Sequence, residues 1–285
     1  MDDKKMLTDT FLSSLQQGGP LSFSVASYNI LATAYIKPAW YPRTQPEILN
    51  PRKRIPALVQ HIAALATDII CLQEVDRDTL SALQTGLSPL GYVAHYAPKT
   101  GGKPDGCATF IRTKMFALRT VRVITYSDGH NETDNSGHVA LVVILQQAGR
   151  TLGVANTHLK WEPPGTLGGE RRGYREINQL LKERDGIAPN CLGWIICGDL
   201  NATLESEIVG ALQKAEFDYA HRSFPGMRTC NSNNRAKLVD YLFHTPSLRA
   251  EPRSIQIIED HTPLPSSEQP SDHLAIVSQF HWAMT

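Results

Sequence analysis

The sequence lacks the run of about eighteen apolar residues that a membrane-spanning helix requires. No long apolar core precedes Gly18-Gly19-Pro20, so no secretory signal peptide is expected. The five cysteines form no Cys-x-x-Cys pair, and such a sparse, odd set indicates free thiols in a reducing compartment rather than a disulfide framework. We therefore expect a cytoplasmic protein with no membrane association.

An excess of charge of either sign is also missing, since Lys+Arg and Asp+Glu both number 28 and the formal net charge is zero. This balance argues against holding nucleic acid by bulk electrostatics but leaves a local basic patch open. The sequence contains neither HExxH nor a Cys/His spacing typical of zinc sites. It also shows no internal repeat, low-complexity tract or dividing linker. We therefore predict an N-terminal extension over residues 1–20 and a single domain over 21–285.

What is present is a regular alternation of helical and strand patterns. Helical periodicity marks residues 54–66 and 171–184, and helices are also expected at 77–90 and 205–215. Apolar or alternating runs predict strands between them, the last three near 238–243, 254–259 and 274–281. Early β-α-β units, then hairpin-like strands, then β-α-β again favour an α/β domain with two packed mixed sheets.

Residues 194–201, Trp-Ile-Ile-Cys-Gly-Asp-Leu-Asn, combine a predicted buried strand with two polar residues at its end. Asp199 and Asn201 should point the same way, because strand residues two apart share a face. Taken alone, the octapeptide fits two interpretations equally well. It can end in a polar site, or in an Asx turn with Asn201 capping the next helix.

Other predicted strands end in the same way. The polar residues at or near these ends are Asn29, Glu74, His158, Asp199, Asn201, Asp240, Asp272 and His273. Singly, each has an ordinary structural explanation, such as a half-buried histidine or a turn residue. Together they predict a functional site, because α/β sheets place their sites in the loops at one edge.

The residue types in this set indicate the chemistry. Carboxylate and amide oxygens without cysteine suit Mg²⁺ or Mn²⁺ better than a structural zinc. Phosphoester hydrolysis needs a cation on the phosphate, a base for the water and donors for the developing charge. The set can supply all three.

The segments Leu72-Gln73-Glu74, Gly198-Asp199-Leu200-Asn201 and Ser271-Asp272-His273 resemble, in this order, the endonuclease/exonuclease/phosphatase superfamily. The resemblance covers about residues 24–281. It is greatest to the deadenylase branch, with its nocturnin-like and angel-like proteins and 2′-phosphodiesterases, through residues 105–110, 154–163 and 239–243. It implies a four-layer α/β sandwich of the DNase I type, with helices flanking the two sheets, and one or two Mg²⁺ ions, with Mn²⁺ as a substitute.

On the metal side, the resemblance implies that Glu74 is the principal Mg²⁺ ligand. Asn29 would lie close to the metal or its waters, and Asp272 would assist on the same side.

On the phosphate side, the resemblance implies that Asp199 orients or deprotonates the attacking water and that Asn201 holds the phosphate. His273, oriented by Asp240, would stabilise the pentavalent state, and His158 would contact the scissile phosphate from the opposite flank. The reaction would be an in-line attack of water without a covalent enzyme intermediate.

The residues expected to determine substrate specificity match the deadenylase branch less closely. Pro163 has the spacing of a proline that helps to clamp a base, but Arg235 stands where an aromatic residue commonly stacks on adenine. Arginine can stack on a base or bind phosphate. Arg172 and Arg175 belong to a second basic cluster, which fits either a solvated surface or a phosphate-binding rim.

We therefore expect a 3′ exoribonuclease of deadenylase type acting on a single-stranded RNA 3′ end or a nucleotide. Poly(A), 2′–5′ oligoadenylate and NADPH all remain open as substrates. The alternatives are a phosphomonoesterase acting on a nucleotide, NADPH or an inositol phosphate, and an inactive scaffold of the same fold.

Overall fold

Two six-stranded β-sheets form the centre of the structure, a computed structural model that describes residues 22–163, 165–166 and 171–283. The strands are β1 Ser22–Asn29, β2 Ile69–Asp76, β3 Tyr92–Pro98, β4 Asp105–Arg112, β5 Ala117–Thr125, β6 Val139–Gln147, β7 Arg150–His158, β8 Gly193–Asp199, β9 Asp218–Tyr219, β10 Cys230–Ser232, β11 Arg235–Lys237, β12 Asp240–His244, β13 Leu248–Pro252 and β14 Ile276–Trp282. The α-helices are α1 Pro46–Leu49, α2 Pro51–Ala64, α3 Arg77–Leu87, α4 Arg172–Ile187 and α5 Glu207–Lys214.

The strand order is β13-β14-β1-β2-β4-β3 in the first sheet and β5-β6-β7-β8-β12-β9 in the second, with β10 and β11 as a separate hairpin. The pairs β1–β2 and β7–β8 are parallel, whereas the other pairs are antiparallel. Both sheets are therefore mixed, and each contains one parallel pair at its centre. The carboxyl ends of these two parallel pairs carry four of the eight polar residues predicted from the sequence, namely Asn29, Glu74, His158 and Asp199.

Helices cover the outer face of each sheet. Helices α2 and α3 pack on the first sheet, where they contribute Leu58, Ile62, Leu83 and Leu87. Helices α4 and α5 pack on the second sheet, where they contribute Ile177, Leu180, Val209 and Leu212. The apolar run of β8 is buried on both faces, because Trp194 and Ile196 meet the helices while Ile195 and Cys197 meet the other sheet. The predicted pair of mixed sheets flanked by helices is confirmed.

A β-bulge in β2 interrupts its register with β4 between Leu72 and Val75. Glu74 lies in this bulge with a φ of 57°, in the left-handed region. Asn156 of β7 crosses between the sheets at this point: its Nδ2 donates to the Leu72 carbonyl at 3.1 Å, and its Oδ1 accepts from Gln73 Nε2 at 2.8 Å. The bulge changes the direction of the Glu74 side chain, and Asn156 donates a hydrogen bond to the Leu72 carbonyl beside the bulge.

One predicted strand differs from the structure. The strand expected at 254–259 is wrong, because the edge strand is β13, which ends at Pro252, and Ile257 is 88% exposed. The polar, basic segment 228–237 contains the β10–β11 hairpin, and the Pro- and aromatic-rich segment 40–51 contains α1. Within the described part of the chain, no helix is both long and apolar enough to cross a bilayer. The predicted extension over 1–20 lies outside the described residues, and the division into extension and single domain stays a prediction.

Candidate active site

The polar residues of the candidate active site lie where the central strands of the two sheets end. Asn29 ends β1, His158 ends β7 and Asp199 ends β8. Asp240 begins β12, which runs antiparallel to β8, so that it pairs directly with Asp199. With Glu74 from the bulge, five strands deliver side chains to one edge between the sheets.

Gly198 allows β8 to approach β7 closely just before Asp199. Its φ is 139°, and a Cβ built there would lie 1.7 Å from the Thr157 carbonyl oxygen. Only glycine fits this position without movement of the backbone. The next turn is fixed by Asp199 Oδ1, which accepts from the Asn201 backbone N–H at 2.9 Å, with Asn201 in the left-handed region. The Asx turn is therefore present, but Ser206 caps helix α5.

Asn29 joins the two sheets within the candidate active site. Its Nδ2 donates to Glu74 Oε1 at 3.1 Å and to Asp199 Oδ2 at 3.0 Å, while its Oδ1 accepts from the Leu31 backbone N–H at 3.0 Å. Glu74 Oε2 accepts from the Ala32 backbone N–H at 2.9 Å. The amide of Asn29 thus fixes the distance between the two carboxylates.

His273 and Asp240 form a buried ion pair on the second sheet's side. His273 Nδ1 donates to Asp240 Oδ2 at 2.8 Å, and its Nε2 lies 3.8 Å from Asp199 Oδ2. Burial alone would lower the pKa of His273, but the Asp240 carboxylate outweighs it and raises this pKa well above its usual value. His273 is therefore an imidazolium whose Nε2–H faces the space beside Asp199.

His158 lies on the opposite flank of Asp199 and is neutral. Burial, followed by the nearby charge of Lys99, holds its pKa well below the usual value. Its Nε2 accepts from Asn201 Nδ2 at 3.1 Å and lies 3.6 Å from Asp199 Oδ2. The same Asn201 Nδ2 also donates to the Leu159 carbonyl at 3.0 Å. Because His158 is neutral, its proximity to Asp199 is not an ion pair.

Asp272 occupies the side of the site nearest to Tyr41 and Cys230. Tyr41 donates its hydroxyl to Asp272 Oδ2 at 3.0 Å, and the neighbouring Ser271 hydroxyl donates to the Asn29 carbonyl at 2.7 Å. Asp272 is also close enough to Glu74 to contribute to raising the pKa of that carboxyl group. The structure therefore brings together all eight residues that the sequence placed at strand ends.

The residues present fit a divalent cation. Burial raises the pKa of Glu74 to about 7, and burial together with Asp240 raises the pKa of Asp199, as expected where buried carboxyl groups outnumber cations. Among the residues that the structure describes, two groups of possible ligand atoms each lie within 4.8 Å of one another: Asp199, Asp240 and His273, and Cys230, Asp272 and His273. Glu74 belongs to neither group. Since His273 is protonated and bound to Asp240, the carboxylate oxygens of Glu74, Asp199 and Asp272, each with a second lone pair, are the better ligands for Mg²⁺.

A second buried ion pair, which the sequence did not predict, lies beside His158. Lys99 Nζ donates to Asp105 Oδ2 at 2.7 Å and lies 3.4 Å from His158 Nδ1, while the Tyr35 hydroxyl donates to Asp105 Oδ1 at 2.6 Å. Lys99 follows β3 and Asp105 begins β4, so this ion pair joins the two ends of the loop between these strands, and Lys99 lies beside His158. The only signal in the sequence was the polar pair at the two ends of a Gly/Pro-rich loop.

The four residues predicted to contact the substrate lie outside this cluster of contacts. Pro163 and Arg235 are exposed, on the segment after His158 and on strand β11 respectively. Arg172 binds Asp134 through its guanidinium, with Nη2 2.9 Å from Oδ1, and Arg175 is partly buried on the same helix. Among the described residues, no hydrogen bond or ion pair joins Arg172 or Arg235 to Asp199. Their proposed contact with a substrate stays a prediction.

Comparison with known proteins identifies relatives of this fold. A sequence model of the Endonuclease/Exonuclease/phosphatase family matches residues 26–273. Protein angel homolog 2 of Danio rerio is 29% identical over 219 residues, which are 72% of this chain and 37% of that protein. The CCR4-Not complex 3′-5′-exoribonuclease subunit Ccr4 of Candida albicans is 24% identical over 345 residues, covering 98% of this chain and 44% of that protein. The chain thus spans less than half of either relative.

A solved structure shares the fold over nearly the whole chain. It is ANGEL2, described as a 2′,3′-cyclic phosphatase, in complex with adenosine-2′,3′-vanadate. The TM-score is 0.82 at 23% identity, with 92% of this chain and 96% of that chain covered. The expected DNase I-like sandwich and the angel-like branch are confirmed, and relatives of this kind are phosphoesterases and nucleases. Because the family model spans residues 26–273, the chain belongs to the endonuclease/exonuclease/phosphatase family.

Proposed function

We propose that the chain is a divalent-metal-dependent phosphodiesterase that hydrolyses RNA or nucleotide phosphoesters, acting as a 3′ exoribonuclease of the deadenylase type. One observation carries the proposal: Asp199 Oδ2 accepts from Asn29 and lies within 3.8 Å of ring nitrogens of both His158 and His273. A carboxylate with the His273 imidazolium on one flank and the neutral His158 ring on the other can hold a water while its neighbours bind the phosphate.

Each residue of the cluster has a distinct task in this proposal. Asp199 orients the attacking water and takes its proton, and its raised pKa makes it a stronger base than an exposed aspartate. His273 donates its Nε2–H to a phosphate oxygen, and Asp240 keeps the imidazolium in place and charged. A divalent cation held by Glu74, with Asn29 beside it and Asp272 assisting, would supply Lewis-acid charge on the phosphate.

Asn201 and His158 must exchange partners when a phosphate binds. Asn201 Nδ2 donates to His158 Nε2 and to the Leu159 carbonyl, so both of its N–H groups are engaged. If the phosphate replaces His158 as acceptor, Asn201 holds a phosphate oxygen. His158 Nε2 is then released, and the tautomer protonated at Nε2 can donate to the phosphate.

The substrate and metal are tested on the purified chain. It is incubated with 5′-labelled oligo(A), oligo(U) and oligo(C), and with 2′–5′ oligoadenylate, NADPH and inositol phosphates, in Mg²⁺, Mn²⁺ or a chelator. We expect shortening of oligo(A) from the 3′ end with release of nucleoside monophosphate, abolished by chelation and restored by Mg²⁺ or Mn²⁺. Equal rates on all three homopolymers would contradict adenine selectivity, and full activity in chelator would contradict the role of a metal.

The role of Asp199 is tested by Asp199→Asn, which keeps the side-chain shape but removes the base. We expect turnover to fall by about 10³-fold with an unchanged fold, since a positioned base contributes about 10²–10⁴-fold. Asp185→Asn, at an exposed carboxylate paired with Arg184, is the matched control. Near-normal turnover of Asp199→Asn on every substrate that the wild type cleaves would refute the assignment.

A second candidate is removal of a 2′,3′-cyclic phosphate from RNA ends, favoured by the structural likeness to ANGEL2 over 92% of this chain. RNA ending in a 2′,3′-cyclic phosphate separates the candidates: a cyclic phosphatase yields a 2′,3′-diol and inorganic phosphate without shortening the chain. A phosphomonoesterase acting on NADPH or an inositol phosphate would also release phosphate. No turnover of any of these substrates would favour the inactive scaffold. The RNA or nucleotide partner and the cytoplasmic location stay proposals.

A further inference from the structure

Two buried carboxyl groups lie behind the candidate active site, where the loop between β5 and β6 meets the first turns of α4. They belong to Asp128 of the loop and Glu176 of the helix, and both residues are 0% exposed. The segment that follows His158 passes over the same place. The proposed reaction assigns neither carboxyl group a task.

The contacts of these carboxyl groups converge on the backbone after His158. Ser136 bridges them, since its backbone N–H donates to Asp128 Oδ1 at 2.7 Å and its hydroxyl donates to Glu176 Oε1 at 3.0 Å. Glu176 Oε2 accepts from the Lys160 backbone N–H at 2.8 Å. Asp128 Oδ2 is buried and, among the described residues, meets no donor if both carboxyl groups are ionised.

One proton shared by the two carboxyl groups provides a hydrogen-bond donor for the unpaired Asp128 Oδ2. Because Ser136 binds both carboxyl groups, they lie side by side, and a protonated Glu176 can supply the donor that Asp128 Oδ2 otherwise lacks. Burial and this contact raise the pKa of Glu176 well above its usual value. Burial would also raise the pKa of Asp128, but the hydrogen bonds from Glu176 and Ser136 lower it. The pair therefore carries one negative charge.

The surrounding groups do not take this proton. Arg172 lies one turn before Glu176 on the same helix. Its guanidinium forms an ion pair with Asp134, and its backbone N–H donates to the Glu162 carboxylate. Burial raises the pKa of Tyr126 well above its usual value and lowers the pKa of His138 to about 3, so both are neutral near pH 7. The Lys160 side chain is on the same segment, but it is the Lys160 backbone that contacts Glu176.

We propose that Asp128 and Glu176 share one proton and act as a positioning pair for the strand end that carries His158. This rests on the proposed function, in which His158 contacts the phosphate. The pair holds the Lys160 backbone directly. It also acts through Ser136, whose hydroxyl lies 3.2 Å from the backbone N of His138, while His138 Nδ1 lies 2.7 Å from the His158 carbonyl. The phosphate contact made by His158 therefore depends on groups that never touch the substrate.

The pair predicts a fall in activity at alkaline pH. Loss of the shared proton leaves two buried negative charges in contact, which separates the loop from α4 and loosens Lys160. The pKa of Glu176 is higher in the folded protein than the value of about 4.5 expected for an exposed glutamate, so the stability from this group is greatest in acid. That stability falls as the pH rises from there through the folded pKa.

Three variants separate a shared proton from ordinary packing. Asp128→Asn donates an amide N–H to an ionised Glu176, which still accepts from Ser136 and Lys160. Glu176→Gln still donates to Asp128 but loses one acceptor, and Glu176→Ala loses every contact. Glu183→Gln, at an exposed carboxylate on the same helix, is the matched control.

Infrared spectroscopy, thermal unfolding and kinetics are measured on each variant across pH. We expect the wild type and Glu183→Gln to show at neutral pH the carbonyl band of a protonated carboxylic acid, reduced in the other three variants. Glu176→Ala should lower kcat by about tenfold or more with little change in KM, because a displaced strand end misplaces His158. Asp128→Asn should keep kcat within about threefold and reduce the alkaline fall to the part caused by loss of the His273 proton, consistent with rescue by retained hydrogen bonds.

Two results would overturn the positioning pair. One is an acid carbonyl band of equal size in Glu176→Gln and Glu183→Gln, and the other is a kcat of Asp128→Asn as low as that of Glu176→Ala. The spectroscopic and unfolding measurements need no substrate. If the wild type cleaves no phosphoester, the proposed function fails, while the shared proton is still confirmed or refuted by those two readouts.

Discussion

Gly198→Ala adds one methyl group at the closest approach of β8 to β7. The new Cβ would lie 1.7 Å from the Thr157 carbonyl oxygen, so the two strands must separate by more than 1 Å. The φ of 139° is one that side chains rarely adopt, and such strain costs about 1–3 kcal/mol. The separation also weakens backbone pairing at Thr157–Gly198 and His158–Asp199, which adds about 1 kcal/mol for each of two hydrogen bonds. We expect a total loss of about 3–5 kcal/mol in the free energy of unfolding.

Thermal and urea unfolding measure this loss. A change of 1 kcal/mol shifts the melting temperature of a protein of this size by about 2–4 °C, so the melting temperature should fall by about 6–20 °C. Gly210→Ala is the matched control. Gly210 lies in helix α5 with nothing within 4 Å of an added Cβ, and alanine there should stabilise the helix by about 0.5–1 kcal/mol. If the two variants unfold at the same temperature, the close approach at Gly198 does not exist as described.

Two further predictions concern buried polar groups beside the site. Asn156→Leu removes hydrogen bonds to the Leu72 carbonyl and from Gln73, and should cost about 2–3 kcal/mol in urea unfolding and lower turnover through the displaced bulge. An unchanged urea midpoint would contradict the role of Asn156. Lys99→Met leaves the Asp105 carboxylate buried and should cost about 3–5 kcal/mol. Adding Asp105→Leu should recover most of that stability but not the turnover, and recovery of both would show that the Lys99 charge has no function.

The sequence was sufficient to predict the fold and the site where a local pattern has a single structural interpretation. The apolar run of β8 could only be a strand buried on both faces, and the structure places it at the centre of the second sheet. The polar residues after such runs met at one edge because parallel strands share their direction. The motif order also identified the family, since three short segments far apart in the chain had to converge.

The sequence was insufficient where the outcome depends on a partner strand. Residues 254–259 alternate like a strand, but β14, the partner of β13, begins at Ile276 and offers few residues for pairing beyond Pro252. The other edge of β14 is already paired with β1. The segment therefore leaves the sheet after Pro252, and Ile258 packs in a small cluster with Leu264. The bulge that turns Glu74 toward the site depends on cross-strand register, which no local pattern records.

The two interpretations of the Asp199 octapeptide prove to be compatible, because the two oxygens of one carboxylate serve different purposes. Oδ1 accepts the Asn201 backbone N–H and closes the Asx turn, whereas Oδ2 accepts from Asn29 and faces both imidazoles. The turn therefore removes the rotational freedom of the carboxylate and aims the second oxygen before any substrate binds. A base held in this way needs no reorganisation when a phosphate arrives, which is the condition under which positioning contributes most to rate.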